Sequence, residues 1–222
     1  MVERITRSGL FARVAGLAVA AIGLGLRGGG TARAARASAV SCILTPELTE
    51  GPYYLAGEKL RRNITEGRPG TRLDLRLAVV DATTCAPISG AAVDIWHADA
   101  GGVYSGFGAG ASSRTFMRGV QKTDRNGVAV FQTVYPGWYT GRTVHIHVKV
   151  HVGGNVVHTG QLFFSDTLTD AVYKRSPYSR RPSRDVRNAQ DMIYQSGERQ
   201  STLTVRRKGS GYVGSIAMGV RR

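Results

Sequence analysis

Two histidines stand two residues apart in Thr143-Val-His-Ile-His-Val-Lys-Val150, a stretch that alternates them with bulky β-branched residues. Residues i and i+2 of a strand project from the same face, so the imidazoles of His145 and His147 point together. The preceding Pro136-Gly-Trp-Tyr-Thr-Gly-Arg142 brings a phenol, Tyr139, and a guanidinium, Arg142, to the entry of that strand. A second phenol, Tyr104, lies at the start of a glycine-rich loop. Imidazole and phenolate are metal donors, and a fixed cation beside them suits an anionic substrate. A His-x-His pair alone also serves zinc or copper, and cupin-like barrels use it for several metals. The phenols favour iron: tyrosine is an iron ligand in haem enzymes, and two phenolates with two neutral imidazoles balance much of a ferric charge.

The elements that must position these groups read as short strands. Leu73–Asp81 alternates apolar and polar residues, and Ala92–His97 follows the turn Pro87-Ile-Ser-Gly90. After the loop Gly101–Ser113, Asp124-Arg-Asn-Gly127 gives a hairpin signal ahead of a strand at Val128–Val134. The central strand, Thr143–Val152, runs through the turn Gly153-Gly-Asn155 into a returning strand, Val156–Phe164. A short helical stretch is expected near Asp185–Tyr194 and a last strand at Thr202–Arg206. Strands at this spacing, with no long helix and no repeat, predict an all-β fold: a β-sandwich core with long loops and little helix.

Residues 1–39 read as an export signal rather than fold. Arg4, Arg7 and Arg13 make a positive region, Val14–Leu26 an apolar run, and Ala-Arg-Ala and Ala-Ser-Ala offer small residues for cleavage. The run is short for a membrane span. Its flank is Tat-like but lacks the adjacent arginine pair, so Tat and Sec routes both stay open. The remainder, 40–222, is expected to be one catalytic domain, secreted and extracellular or held at the cell surface. The formal charge of +15 falls to +10 once the six arginines and Glu3 of residues 1–39 are removed. Most of the excess lies from Lys174 onward and reads as a solvated basic C-terminal segment. No module interleaves aromatics with those cations, so no nucleic-acid partner is expected. The only cysteines, Cys42 and Cys85, read as one disulfide, which would stabilise the fold by roughly 4 kcal/mol.

Four ordered motifs carry a resemblance. Trp96-His-Ala-Asp-Ala-Gly-Gly-Val-Tyr104, Pro136-Gly-Trp-Tyr139, Arg142-Thr-Val-His-Ile-His147 and Gly160-Gln-Leu-Phe-Phe-Ser-Asp166, with the lead-in Thr49-Glu-Gly-Pro-Tyr-Tyr54, resemble the intradiol ring-cleavage dioxygenases. This is the family of the catechol and protocatechuate enzymes, and the likeness, from about Leu44 to Asp191, is to its short secreted members. It implies a β-sandwich holding a mononuclear non-haem Fe(III) on Tyr104, Tyr139, His145 and His147. It further implies a catechol-type substrate cleaved with O2 between its hydroxyls to a muconate-type diacid. By the same resemblance Arg142 is the active-site arginine, Gln161 faces the substrate, and Tyr139 is the ligand that leaves the metal to take a proton. Thr143-Val144 departs from the usual Pro-Ala, and the long N-terminal dimerisation helices of cytoplasmic relatives have no counterpart, so their assembly is not carried over.

Each residue also has a plainer reading. Tyr53 and Tyr54 read as core or pocket-rim residues, His97 as a satisfied structural histidine, and His151 and His158 as surface or hairpin residues. Two other classes compete: a metal-free transthyretin-like binding module, and a zinc or copper enzyme built on the same His pair.

Overall fold

Leu73, Leu75, Leu77 and Val79 are fully buried while Arg72 and Arg76 stay exposed, so the first strand, β1 (Arg72–Asp81), turns alternate residues inward as its sequence requires. The computed structural model describes residues 43–108 and 110–221. The expected export signal, and Cys42 of the expected Cys42–Cys85 disulfide, lie outside these residues. The other strands are β2 (Ala92–Trp96), β3 (Arg118–Lys122), β4 (Val128–Val134), β5 (His145–Val152), β6 (Asn155–Phe163), β7 (Thr204–Lys208) and β8 (Gly211–Val220). They form two four-stranded sheets, ordered β4-β1-β8-β7 and β3-β2-β5-β6, called here sheets A and B. One core joins the inward residues of β1 to Val93, Ile95, Ile146, Val148 and Val150 of sheet B. Burying each such side chain stabilises the fold by roughly 1.5–3 kcal/mol before chain entropy is counted. The molecule is the expected all-β sandwich.

Several elements depart from expectation. The central strand begins at His145, two residues late. Asp124–Gly127 does form a tight turn, with Gly127 at φ 73 and its N–H donating to the Asp124 carbonyl, but it joins β3 of sheet B to β4 of sheet A and closes no hairpin. The hairpin at Gly153–Gly154 forms as read, pairing Val152 with Asn155. The stretch near Asp185–Tyr194 splits into a 3-10 turn, Asn188–Gln190, and a helix, α2 (Met192–Gly197). An unforeseen helix, α1 (Asp166–Tyr173), starts where the Ser165 side chain accepts a hydrogen bond from the Leu168 amide.

Most cations from Lys174 onward are exposed, as read, but some of them are ion-paired and the segment ends in a strand. Arg184 and Arg187 are ion-paired to Asp166 and Asp170, the former nearly buried, and the last strand is β8, which lies parallel to β1 inside sheet A. Two of its glycines are packing requirements: a Cβ on Gly219 would stand 2.4 Å from the Ile43 carbonyl, and one on Gly211 2.5 Å from that of Arg72.

The lead-in to the sandwich covers sheet B. It leaves β8, where Thr45 N–H donates to the Gly219 carbonyl, reaches β6, where Leu48 N–H donates to Thr159, and then passes over β5. Gly51 sits there at φ 71, and a Cβ on it would come within 3.1 Å of the His147 ring.

Candidate metal centre

Antiparallel partners directly opposite one another share a face. The outward face of sheet B therefore carries one row running Arg118, Trp96, His147, Gln161 across β3, β2, β5 and β6. His145, two residues from His147 on β5, sits opposite Phe163 on the same face. The Trp96 indole lies parallel to the His147 ring, centroids 4.9 Å apart at 5°, and fixes its plane.

The loop after β2 brings Tyr104 to this face, and the loop Pro136–Arg142 brings Tyr139. Gly137 lets that loop lie against its neighbour: its N–H donates to the Asp99 carbonyl, and a Cβ there would be 2.5 Å from Ala100 O. The four rings gather. Tyr139 Oη lies 3.2 Å from His145 Nε2, which lies 3.1 Å from His147 Nε2; the Tyr104 ring is 5.5 Å from that of Tyr139 and 6.1 Å from that of His147. Tyr104, His145 and His147 are buried and Tyr139 is half-buried.

Whether this set suits a metal can be judged from its hydrogen bonds. His145 Nδ1 lies 2.7 Å from the Thr143 carbonyl, which fixes Nδ1 as the donor and leaves Nε2 with its lone pair inward. Separations of 3.1–3.2 Å are those of adjacent ligands on one ion with bonds of about 2.0–2.1 Å. The Tyr104 hydroxyl is buried without a well-formed hydrogen bond, which normally costs about 1–3 kcal/mol. A cation would relieve that penalty. Among the described residues no three His, Cys, Asp or Glu converge as in a typical zinc site, so the donor set is the two imidazoles and two phenols.

Electrostatics agree. Burial, with Arg142 second, lowers His145 to about 3; burial and then His145 hold His147 well below its usual value. Both rings are thus neutral, the form that ligates a metal. Burial raises Tyr104 well above an ordinary phenol, with Tyr139 adding to the effect; burial also raises Tyr139, against Arg142. Without a strong cation these phenols keep their protons.

Beside the rings, Arg142 is clamped. Its Nε donates to Asp191 at 2.8 Å and its Nη2 to Gln161 Oε1 at 2.6 Å, while Gln161 Nε2 donates to the Thr49 carbonyl at 2.9 Å. Asp191 also accepts the Thr143 N–H at 2.9 Å and caps α2 through the amides of Ile193 and Tyr194. Arg142 and Asp191 together tie the entry of β5 to α2. Tyr53 stacks on Tyr104 at 4.3 Å and meets Tyr139 edge-on at 5.9 Å, so it belongs to the wall.

The structure thus brings together Tyr104, Tyr139, Arg142, His145, His147 and Gln161. His97 is structural as expected, its ring held between the Ala98 carbonyl and Thr133. His158 is not a surface residue: it is buried, with Nδ1 3.1 Å from Glu47 of the lead-in. Sequence reasoning missed Asp191 and Arg118. Asp191 carries a local signal, an acidic N-cap before a helical run; its contact with Arg142 spans 49 residues and leaves no local trace.

A sequence model of the family described as Dioxygenase matches residues 49–173. An intradiol ring-cleavage dioxygenase from Tetranychus urticae is 37% identical and superposes with a TM-score of 0.78, covering 81% of this chain and 95% of its own. The dioxygenase domain of a dioxygenase carbohydrate-binding protein fusion from Streptomyces sp. SirexAA-E is 31% identical with a TM-score of 0.63, covering 80% and 98%. Catechol 1,2-dioxygenase 1 of Acinetobacter lwoffii is 34% identical over 100 residues, 43% of this chain and 32% of that protein. The chain spans between 32% and 55% of the length of the curated relatives it matches.

Proposed function

We propose, from the premise that this chain belongs to the intradiol ring-cleavage dioxygenase family, that it cleaves a catechol-type ring between its two hydroxyls with O2. The carbon–carbon bond between the hydroxyl-bearing carbons breaks and both oxygen atoms enter a muconate-type diacid. The observation that carries this reading is the convergence of Tyr104, Tyr139, His145 and His147, one phenol among them buried without a well-formed hydrogen bond, beside a clamped arginine. These four residues would hold a mononuclear non-haem Fe(III). Bound there, it would supply the Lewis acidity that lowers the pKa of a catechol hydroxyl.

The chain's own groups do the rest. Tyr139, half-buried beside His145, would be a phenolate once it held the iron, and as such would take the proton of an entering hydroxyl. Asp191 and Gln161 fix Arg142 beside the ring cluster, where a fixed guanidinium would stabilise charge developing on ring oxygens without reorganising. Gln161, its amide anchored on Thr49, offers a neutral contact beside it. Tyr53 and Tyr104 supply an aromatic wall against a flat ring.

O2 uptake with catechol, protocatechuate, hydroxyquinol and lignin-like catechols, followed by product analysis, tests this. The expected product is the diacid cut between the hydroxyls. Cleavage beside the diol means the class is wrong. Export and the Cys42–Cys85 disulfide belong to the same proposal: intact mass of protein recovered outside the cell should lack residues 1–39 and show no free thiol after unfolding, and a retained leader or two reactive thiols would reject it.

A further inference from the structure

Arg118 lies in the same row as the candidate ligand His147, two strands over, and is completely buried. A buried guanidinium is expensive unless its charge is balanced and its N–H groups are used. Glu58, at 3.8 Å and itself nearly buried, balances the charge without making a close hydrogen bond. The short contacts go elsewhere. Nε and Nη2 donate to the Ser105 carbonyl at 3.0 and 2.7 Å, Nε also to Ser105 Oγ at 3.0 Å, and Nη1 to the Tyr53 carbonyl at 2.7 Å.

Those two carbonyls belong to the segments whose rings stack on one another. Ser105 follows Tyr104, and Tyr53 covers the Tyr104 ring at 4.3 Å and 15°. One planar fork, rooted in a strand, thereby sets the distance between the lead-in and the loop after β2. The Tyr104 hydroxyl makes no well-formed hydrogen bond and meets only the Tyr139 hydroxyl, itself on a loop, so its position is set largely by what holds its backbone and its ring face. We infer that Arg118 is a positioning residue that holds Tyr104 over the histidines, acting through the Ser105 and Tyr53 main chain. The role rests on the functional reading above. Lysine cannot fill it, because a single ammonium does not reproduce a fork gripping two carbonyls in fixed directions.

The test compares Arg118→Lys and Arg118→Met with Arg184→Met, which removes a different nearly buried arginine, one paired with Asp166 and Asp170 rather than with the Ser105 and Tyr53 main chain. Three quantities are read: the visible phenolate-to-iron band of the ferric protein, kcat/KM for catechol, and amide hydrogen exchange of residues 103–107 in metal-free protein. Arg118→Lys should shift or weaken the band, lower kcat/KM by about 10²-fold as expected for a misplacement of about 1 Å, and speed exchange at 103–107. Arg184→Met should lower Tm but move none of the three. If Arg118→Met does not fold, Arg118→Lys, which keeps the charge, carries the comparison. A band, a kcat/KM and a local exchange rate unchanged in Arg118→Lys would overturn the inference, as would equal changes in Arg184→Met. Exchange is read without metal, so a wild type lacking iron and activity would reject the functional reading while leaving the clamp decided by that measurement.

Discussion

The two sheets turn the same kind of inner face to the core and opposite kinds of outer face to the rest of the molecule. Outside sheet A, Arg72 and Arg76 are exposed, Asp74 is neutralised by Arg72 and Lys208, and an open cavity of ≈ 710 Å³ is bordered by Arg76, Arg199 and Arg206. Outside sheet B, Asp94, Arg118, His145, His147, Lys149 and Gln161 are all buried beneath the lead-in and loops. Alternation placed polar residues outward on both. Only on sheet B did the chain fold back over them, and polar groups kept from water need partners or a ligand. The burial of an outward row, rather than its composition, marks the side that does chemistry.

The largest effect should come from Tyr104→Phe. Its hydroxyl is buried without a well-formed hydrogen bond, so metal-free protein should lose little stability, yet iron retention and ring cleavage should vanish; iron analysis beside thermal unfolding of metal-free protein reads both. Iron held by the variant at the wild-type level would break the contrast between the faces. Next is Asp191→Asn, which keeps the shape but weakens the clamp on Arg142. A fall in kcat of about 10- to 100-fold is expected, with less change in iron content, since misplacing a catalytic group by about 1 Å has that order of effect.

Asp94 sharpens the comparison in pH. Burial, and then Glu58, raise it to about 7 in spite of Lys149 and Arg118. The folded chain holds this proton more tightly than the unfolded chain, whose carboxyl titrates at about 3.9. Its contribution is therefore full at low pH and is lost as pH climbs through 7. Denaturation midpoints should show Asp94→Asn gaining on the wild type between about pH 4 and 7, and a constant difference would contradict the burial argument. The smallest effect belongs to the open face: Arg76→Glu should change stability by no more than about 0.5 kcal/mol and leave kcat/KM untouched.

Much of this was legible in the chain. The alternation at β1 and β4 gave their bounds to within a residue, and His145 and His147 share a face because period two demands it. What failed was long-range. Asn126-Gly127 specifies a turn, but not that its flanking strands enter different sheets. β8 was not foreseen, and its glycines gain a role only where the Ile43 and Arg72 backbones come against them. Most cations from Lys174 onward are solvated as read, but Arg184 is drawn in because its acids, Asp166 and Asp170, sit on a helix whose threonines hid it. Site residues supplied by strands and by the Pro136–Arg142 loop were readable. Arg118 and Asp191, which act across the fold, were not.

The most direct test is the visible absorption spectrum of the full chain purified from iron-replete cells. The account predicts a coloured protein with stoichiometric iron and a broad phenolate-to-iron charge-transfer band that changes when catechol is added and is lost in Tyr104→Phe. A colourless, iron-free protein, or a coloured one whose band ignores both catechol and that substitution, would contradict it.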